Sequence, residues 1–460
     1  MHVFRQFLIE SCNLLLMKHL LISCLLAVNA FSMGGCSSNS IMAMPEEPES
    51  STSLKFDNNM VIYEANPRFF SKSGCFNAIS NRLDEIKNMG ANVLWLMPVY
   101  EPGELKSVGS PYCIKNYEAL NATYGTLDDL KSLVDKAHSM DMKVILDWVA
   151  NHTSWDHVWI DQHKDWYTVD NEGNITSPAG QNWNDVADLN YDNEEMRQAM
   201  IEAMKYWVNE VGIDGYRCDY SEGVPHDFWA DAIAQLRMIN PDLIMLSESE
   251  GNFFDDGFDI VYDWKYASYL KDLFQGKTTF TTFYEKAHEV YSEVPEGKNS
   301  MRYVSNHDVA SQNSMASLYG SADALPAAYT LTAMLEGIPL VYSSMETKLG
   351  GVLSFFNYNP LTWDSALEQE YAAINKIYEA TSEVRSGEIK TYEAENAAVF
   401  THTIPGHVLL VIVNTSDSPV TVKVPITYSG VTMQDMFNEK SVEMPTSMEL
   451  PAYHYVIYYK

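Results

Sequence analysis

The chain has 460 residues, more than one ordinary domain needs and enough for a large barrel with a smaller module beside it. Its 62 acidic against 30 basic side chains give a formal net charge of −32, a surface that repels phosphate backbones and excludes nucleic acid as a partner. With 46% hydrophobic and 12% aromatic residues the chain has the material for a packed core, which excludes wholesale disorder.

The N-terminus reads as a targeting segment. In "MKHLLISCLLAVNAFSMGGC", from Met17 to Cys36, a basic Lys18 precedes a short apolar run and then Gly34 and Gly35 before a cysteine. The run is too short for a comfortable membrane span and fits a secretory signal. The small residues before Cys36 resemble a bacterial lipobox. The expectation is a signal over residues 1–36, of which 1–16 are an upstream extension, and a lipid anchor on Cys36 that holds the protein to the cell envelope membrane, periplasmic or surface-facing. Residues 37–55, rich in Ser, Pro and Glu, read as a flexible tether. Beyond Cys36 only Cys75, Cys113 and Cys218 remain, which allows at most one disulfide, with Cys75 and Cys113 as a possible pair, and has no zinc-site spacing.

From about residue 56 to 384 apolar runs of strand length alternate with helical stretches. "NMVIYEANP", "ANVLWLMPV", "MKVILDWVA", "IDGYRCD", "LIMLSES", "FDIVYDW", "RYVSNHD" and "GIPLVYS" make eight candidate strands. Amphipathic segments such as "FNAISNRLDEIKNMG" lie between most of them. This repeat predicts an α/β fold, a (β/α)8 TIM barrel. Residues 151–192 lack that periodicity and read as a short domain inserted after the third strand. Residues 385–460 change to short alternating strands with turn residues, which predicts a C-terminal antiparallel β-sandwich domain.

Barrel enzymes carry their chemistry at the C-terminal ends of the strands. There the third strand carries Asp147, Asn151 and His152, the fourth Arg217 and Asp219, the fifth Glu248, and the seventh His307 and Asp308. A single charged strand end is ordinarily structural, but four on one rim point to an active site. Arg217 and Asp219 sit two apart on a strand and so share a face, and burying both is tolerable only if they pair or act. Three convergent carboxylates suit glycoside cleavage, which needs one ionised carboxylate at the sugar carbon and another kept protonated for the leaving oxygen. An adjacent Arg keeps the first ionised, and a drier setting raises the second.

The ordered set "DWVANH", "GYRCD", "LSE" and "NHD", with the flanking "GSPYCIKNYEALNATYGT" and "VADLN", resembles the α-amylase family of retaining glycosidases, glycoside hydrolase family 13, over roughly residues 56–460. That resemblance implies that Asp219 is the nucleophile, Glu248 the general acid and base, and Asp308 the transition-state stabiliser. It implies that Arg217 supports Asp219, that His152 and His307 bind sugar hydroxyls, that Tyr112 stacks beneath the sugar, and that Asp147 is structural. Glu250, on the face of Glu248 but past the strand end, is the rival acid. Of the tryptophans in the insert, Trp155 is the candidate stacking platform. The expected partner is an α-1,4-linked glucan or malto-oligosaccharide, and no organic cofactor is implied.

The match departs from the family at Glu222 and Gly223, where many members carry Lys-His that contacts sugar on the leaving side, and at Asn116, where they carry Asp. This puts a backbone ligand of the usual calcium site in question, although Asn151 and Asp188 remain candidates to hold Ca2+ through oxygen. It also keeps open a transglycosidase or a glucosidase acting on short or α-1,6-linked oligosaccharides. A non-catalytic glucan-binding lipoprotein is the reading from another class, and the presence of all three carboxylates argues against it.

Overall fold

The computed structural model describes residues 59–347 and 351–460. The expected signal, lipid anchor and tether lie outside the described residues. Eight parallel strands form a closed barrel: β1 Ile62–Ala65, β2 Val93–Leu96, β3 Lys143–Val149, β4 Gly215–Asp219, β5 Ile244–Ser247, β6 Ile260–Tyr262, β7 Asn299–Tyr303 and β8 Ile338–Tyr342. Each pairs with its neighbours in sequence, and β8 closes on β1. All eight apolar runs singled out above carry one of these strands.

Side chains alternate across the barrel wall, since successive residues of a strand face opposite sides. Ile62, Trp95, Ile145, Leu246, Tyr262, Met301 and Leu340 fill the interior. Tyr63, Leu94, Leu146, Tyr216, Met245 and Val341 face the surrounding helices. By the same alternation Glu64, Asp147, Arg217 and Asp219 continue the inner face upward, so the polar site stands directly on an apolar plug.

The helix Leu127–Ser139 starts at a capping box between Thr126 and Asp129 and buries Leu130, Leu133, Val134 and Ala137. Glu194–Val211 is capped by Asn193 and stops at Gly212, whose φ of 72° suits glycine. The amphipathic stretch over residues 76–90 forms two short helices, Cys75–Ser80 and Leu83–Asn88, rather than one. At Gly215 a Cβ would collide with the main chain of Ile244, so β4 and β5 approach closely because that residue is glycine.

The segment after β3 is anchored by an antiparallel pair, His152–Ser154 with Val186–Asp188. It contains the helix Val158–Gln162 and a 3-10 turn at Lys164–Trp166. The last barrel helix, Ser365–Ala380, leads into the C-terminal strands β9 Glu388–Thr391, β10 Ala397–Ile404, β11 His407–Asn414, β12 Val420–Lys423, β13 Thr432–Asp435, β14 Lys440–Glu443, β15 Ser447–Leu450 and β16 Tyr455–Tyr459. They form a six-stranded antiparallel sheet, β9-β10-β11-β16-β13-β14, and a two-stranded sheet of β12 and β15. Leu409, Val411 and Val413 of β11 join the core shared with the barrel, whereas Leu410 and Ile412 join the core closed by Val422 and Leu450. Both faces of β11 are covered, which is why "HVLLVIVN" is a continuous apolar run.

The three described cysteines are buried and free. The Cys75 thiol donates to the carbonyl of Ser71 and that of Cys113 to the carbonyl of Asp185, so the possible pairing of Cys75 with Cys113 does not form.

Candidate active site

A cavity of about 330 Å³ opens at the C-terminal end of the barrel, and Tyr112, His152, Asp219, Glu248, His307 and Asp308 line it. Its floor is organised by Arg217, which is completely buried. Arg217 Nη1 donates to Asp147 Oδ1 at 2.8 Å and to Asp219 Oδ1 at 2.9 Å. Nη2 approaches Glu248 Oε1 at 2.7 Å as an ion pair, off the line of its N–H bonds. Nε donates to the Tyr262 hydroxyl at 3.2 Å. One cation therefore serves three carboxylates from three consecutive strands.

Asp147 is satisfied by the rim. Beyond Arg217, its other oxygen accepts from Trp95 Nε1 at 3.2 Å and from the Tyr112 hydroxyl at 3.0 Å. Glu248 lies one residue past β5, and its Oε2 accepts the backbone N–H of Tyr220 at 2.8 Å. Tyr220 makes this possible by adopting a left-handed conformation, φ 39° and ψ 52°, that non-glycine residues rarely hold. Nothing in the sequence marks that strain. Glu250 turns away from the cavity to Lys265, 3.3 Å distant, because the alternation of β5 ends before it.

The "NHD" triplet does not end a strand. β7 stops at Tyr303, and Asn306 caps the helix His307–Gln312 by accepting from Val309 N at 2.8 Å. His307 and Asp308 are thus the first helical residues, and Asp308 is the most exposed of the three candidate carboxylates. His307 stacks on Tyr112 with ring centroids 5.4 Å apart. Its Nδ1 lies 2.5 Å from Glu64 Oε1, and its Nε2 lies 2.9 Å from the Tyr112 hydroxyl. Glu64 is fully buried on β1 and was not singled out in the sequence.

Burial and mutual repulsion raise the carboxyl groups, and Arg217 opposes both. Asp147 and Asp219 are pushed up to about 6, chiefly by burial. Glu248 is pushed up to about 7, by burial and then by the Asp219 and Asp308 charges. The direction that matters is upward for both Asp219 and Glu248: two carboxyls share one guanidinium, so one can keep its proton while the other is ionised. Burial lowers His152 to about 4, which makes it neutral, and its Nδ1 accepts from the Asn151 amide at 3.2 Å. Burial also pulls His307 down, but the Asp308 and Glu64 charges and the Glu64 hydrogen bond outweigh it and raise this group to about 9.

One expectation needs correction. Trp155 does not line the cavity. Lys106 Nζ covers its ring at 3.5 Å, and its indole N–H is committed to the Asn184 carbonyl at 3.0 Å. Trp183 lines it instead, wedged between His152 and Tyr220 at centroid distances of 5.6 and 4.9 Å. The calcium candidates Asn151 and Asp188 are brought to one corner by the pairing of His152 with Asp188. The Asn151 side-chain oxygen packs against Gly223, its main-chain carbonyl accepts from Leu189, and burial raises Asp188 above the ordinary carboxylate range. Among the described residues no three His, Cys, Asp or Glu side chains gather to hold a metal ion. Glu222, the other half of that departure, points to solvent.

A closed parallel barrel with carboxylates gathered round a buried guanidinium at its C-terminal rim defines a barrel glycoside hydrolase. Residues 51–413 match the model of the alpha-amylase catalytic domain, and the chain belongs to that family. Alpha-amylase 3 of Dictyoglomus thermophilum is 26% identical over 361 residues, 68% of this chain and 69% of that protein. The probable oligo-1,6-glucosidase 2 of Bacillus subtilis is 33% identical over 194 residues, 35% of this chain and 34% of that protein. The crystal structure of an alpha-amylase from Lactobacillus plantarum superposes with a TM-score of 0.78 at 28% identity, over 88% of this chain and 99% of that one.

Proposed function

We propose that the protein hydrolyses α-1,4-glucosidic bonds of starch-type glucans or malto-oligosaccharides with retention of configuration. The observation that carries this reading is geometric: Asp219 and Glu248 share one buried guanidinium and line a single cavity with Asp308. Asp219 attacks the anomeric carbon and forms a glucosyl ester while Glu248 protonates the departing oxygen. Glu248 then removes a proton from water, which releases the sugar as the same anomer. Asp308, nearer to solvent, orients the sugar and stabilises its developing positive charge. Arg217 keeps Asp219 ionised, and neutral His152 and cationic His307 bind hydroxyls at the cavity wall.

Proton NMR during digestion of maltoheptaose tests this. New α-anomeric reducing ends within the first minutes are expected, and β-anomers appearing first would overturn retention. Replacing Asp219 with Asn should abolish turnover with the fold intact. The likeness to an oligo-1,6-glucosidase and the Glu222-Gly223 departure support a second reading, a glucosidase or transglycosidase on short or α-1,6-linked oligosaccharides. Faster cleavage of isomaltotriose than of maltotriose would favour it. We also propose that Cys36 is lipidated and tethers the enzyme to the envelope membrane. The support for this anchor is the sequence of residues 17–36; no helix among the described residues is long and apolar enough to cross a membrane. Mass spectrometry of the N-terminal peptide would show a diacylglyceryl group on Cys36, and an unmodified thiol would remove the anchor.

A further inference from the structure

His307 faces the cavity, yet its charge state is set behind the wall. Its ring is buried, with Tyr112 stacked on one side and the edges of Trp95 and Phe355 around it. The ionisable groups that face it are Glu64 from β1, Tyr112 from the loop after β2, Asp147 from β3, Arg217 from β4 and its own neighbour Asp308, whose carboxylate is 3.5 Å from Nε2. Glu64 touches the ring at 2.5 Å, and the Oε2 of the same carboxylate is buried with no hydrogen-bond partner.

The protons can be counted along this chain. Tyr112 has one hydroxyl proton, and Asp147 Oδ2, an acceptor that already takes the Trp95 N–H, receives it. The Tyr112 oxygen is then an acceptor toward His307, so Nε2 must carry a hydrogen. At the other nitrogen, burial raises Glu64 while the His307 charge and hydrogen bond lower it; with the carboxylate ionised it can only accept, and Nδ1 then carries a hydrogen as well. A ring that donates at both nitrogens is an imidazolium. Substituting the carboxylate by an amide removes the counter-charge, and the ring reverts to a neutral tautomer that donates at one nitrogen alone.

We propose that Glu64 is a positioning residue for the glycosidic reaction: from behind the barrel wall its carboxylate holds His307 as a doubly protonated donor, linked through Tyr112 and Asp147 to the arginine shared by Asp219 and Glu248. Glu64 never meets substrate. It acts through His307: with Nε2–H held by the Tyr112 oxygen, the doubly protonated ring places a positive charge at the cavity wall, where the neutral ring left without that carboxylate would place none. This inference rests on the glycosidase reading for its consequence in turnover, but the protonation state it predicts is independent of that reading.

The test uses the full chain labelled with 15N-histidine, with the His307 signals assigned by loss in H307N. In the unaltered protein at pH 7 both ring nitrogens should show the shifts of protonated nitrogen. In E64Q one of them should move to the position of an unprotonated nitrogen, while the circular dichroism spectrum is unchanged. The value of kcat/KM on maltoheptaose should fall about tenfold to a hundredfold, the range for losing a hydrogen bond to a charged group, with most of the loss in kcat. E64D, which keeps the charge, should restore two protonated nitrogens. An unprotonated Nδ1 in the unaltered protein would place the proton on Glu64 and overturn the proposal, as would an E64Q ring that keeps both protons. If the nitrogen shifts behave as stated but D219N retains turnover, the glycosidase assignment fails and the Glu64–His307 device stands.

Discussion

Arg217 and Arg302 are both completely buried, Arg217 on the inner face of β4 and Arg302 on the outer face of β7 between barrel and helices. Arg302 spends its donors on one carboxylate and two main-chain carbonyls. It bonds Asp263 at 3.0 Å and the carbonyls of Glu336 and Ala287 at 2.6 and 3.0 Å. Asp263 also caps the helix Trp264–Phe274, and Glu336 is bound by His288 at 2.8 Å. Burial would raise Glu336, yet Arg302 and the bonds around it hold this carboxyl below its ordinary range. Arg217 instead stands among Asp147, Asp219 and Glu248 with too little positive charge for all three, and each is raised. A buried ion pair that only supports a fold ends with its charges matched. One built for chemistry leaves carboxylates competing, so that one of them can hold a proton while its neighbour does not.

The comparison breaks most sharply by mutation of the two cations. R217M should lower kcat by about a thousandfold, the scale of losing one preorganised electrostatic group at the reacting centre. R302M should cost about 3–5 kcal/mol of stability, the effect of orphaning a buried carboxylate, while the folded fraction keeps its kcat. Steady-state kinetics on material checked by circular dichroism decides between these outcomes, and equal rate losses in both variants would erase the distinction.

The pH profile follows from the same cluster. In the proposed mechanism Asp219 attacks as the carboxylate, so activity should fall as pH drops through about 6. In the same mechanism Glu248 donates a proton in the first step, so activity should also fall as pH rises through about 7. A narrow bell in kcat/KM between those values is expected. In E248Q the alkaline limb should vanish along with most of the activity.

Stability should respond with opposite sign in the two clusters. Glu248 has a raised folded pKa, so the native state binds its proton more tightly than the unfolded chain does, and ionising it as pH rises from about 4 to about 7 destabilises the fold. E248Q should therefore gain on the order of 1–3 kcal/mol over the unaltered protein at pH 8, a gain that fades by pH 4. Glu336 has a depressed folded pKa, and its contribution is present above the ordinary carboxyl value and lost as pH falls through the folded one. E336Q should cost most at pH 8 and least in acid. Thermal melts across that range measure both.

The smallest effect separates two tryptophans. W183A should raise KM on maltoheptaose about threefold to tenfold, the worth of one aromatic contact, whereas W155A should leave it unchanged because its ring lies off the cavity.

The barrel was legible because its strands are short apolar runs spaced by amphipathic helices, and period-2 alternation told which side Arg217 and Asp219 share. Asp147, Arg217, Asp219 and Glu248 could be read as one group because parallel barrel strands bring their C-terminal ends to one rim whatever their distance in sequence. Glu64 was not legible. A single acid in "IYEA" looks like any strand end until β1 is seen packed beside the helix that begins at His307. The end of β7 was misjudged for a related reason: Asn306 as a helix cap competes with strand continuation, and sequence alone does not weigh the two.

By itself the sequence determined the fold class, the order of the elements and the residue types available for acid–base chemistry, since these depend on local periodicity and on where strands end. Only the tertiary structure decided which groups share a charge. It placed one guanidinium among three carboxylates, turned Trp183 to the cavity and Trp155 away, and left Cys75 and Cys113 apart. Those outcomes depend on distances of a few ångströms between residues far apart in the chain, and electrostatic coupling is decided at that scale.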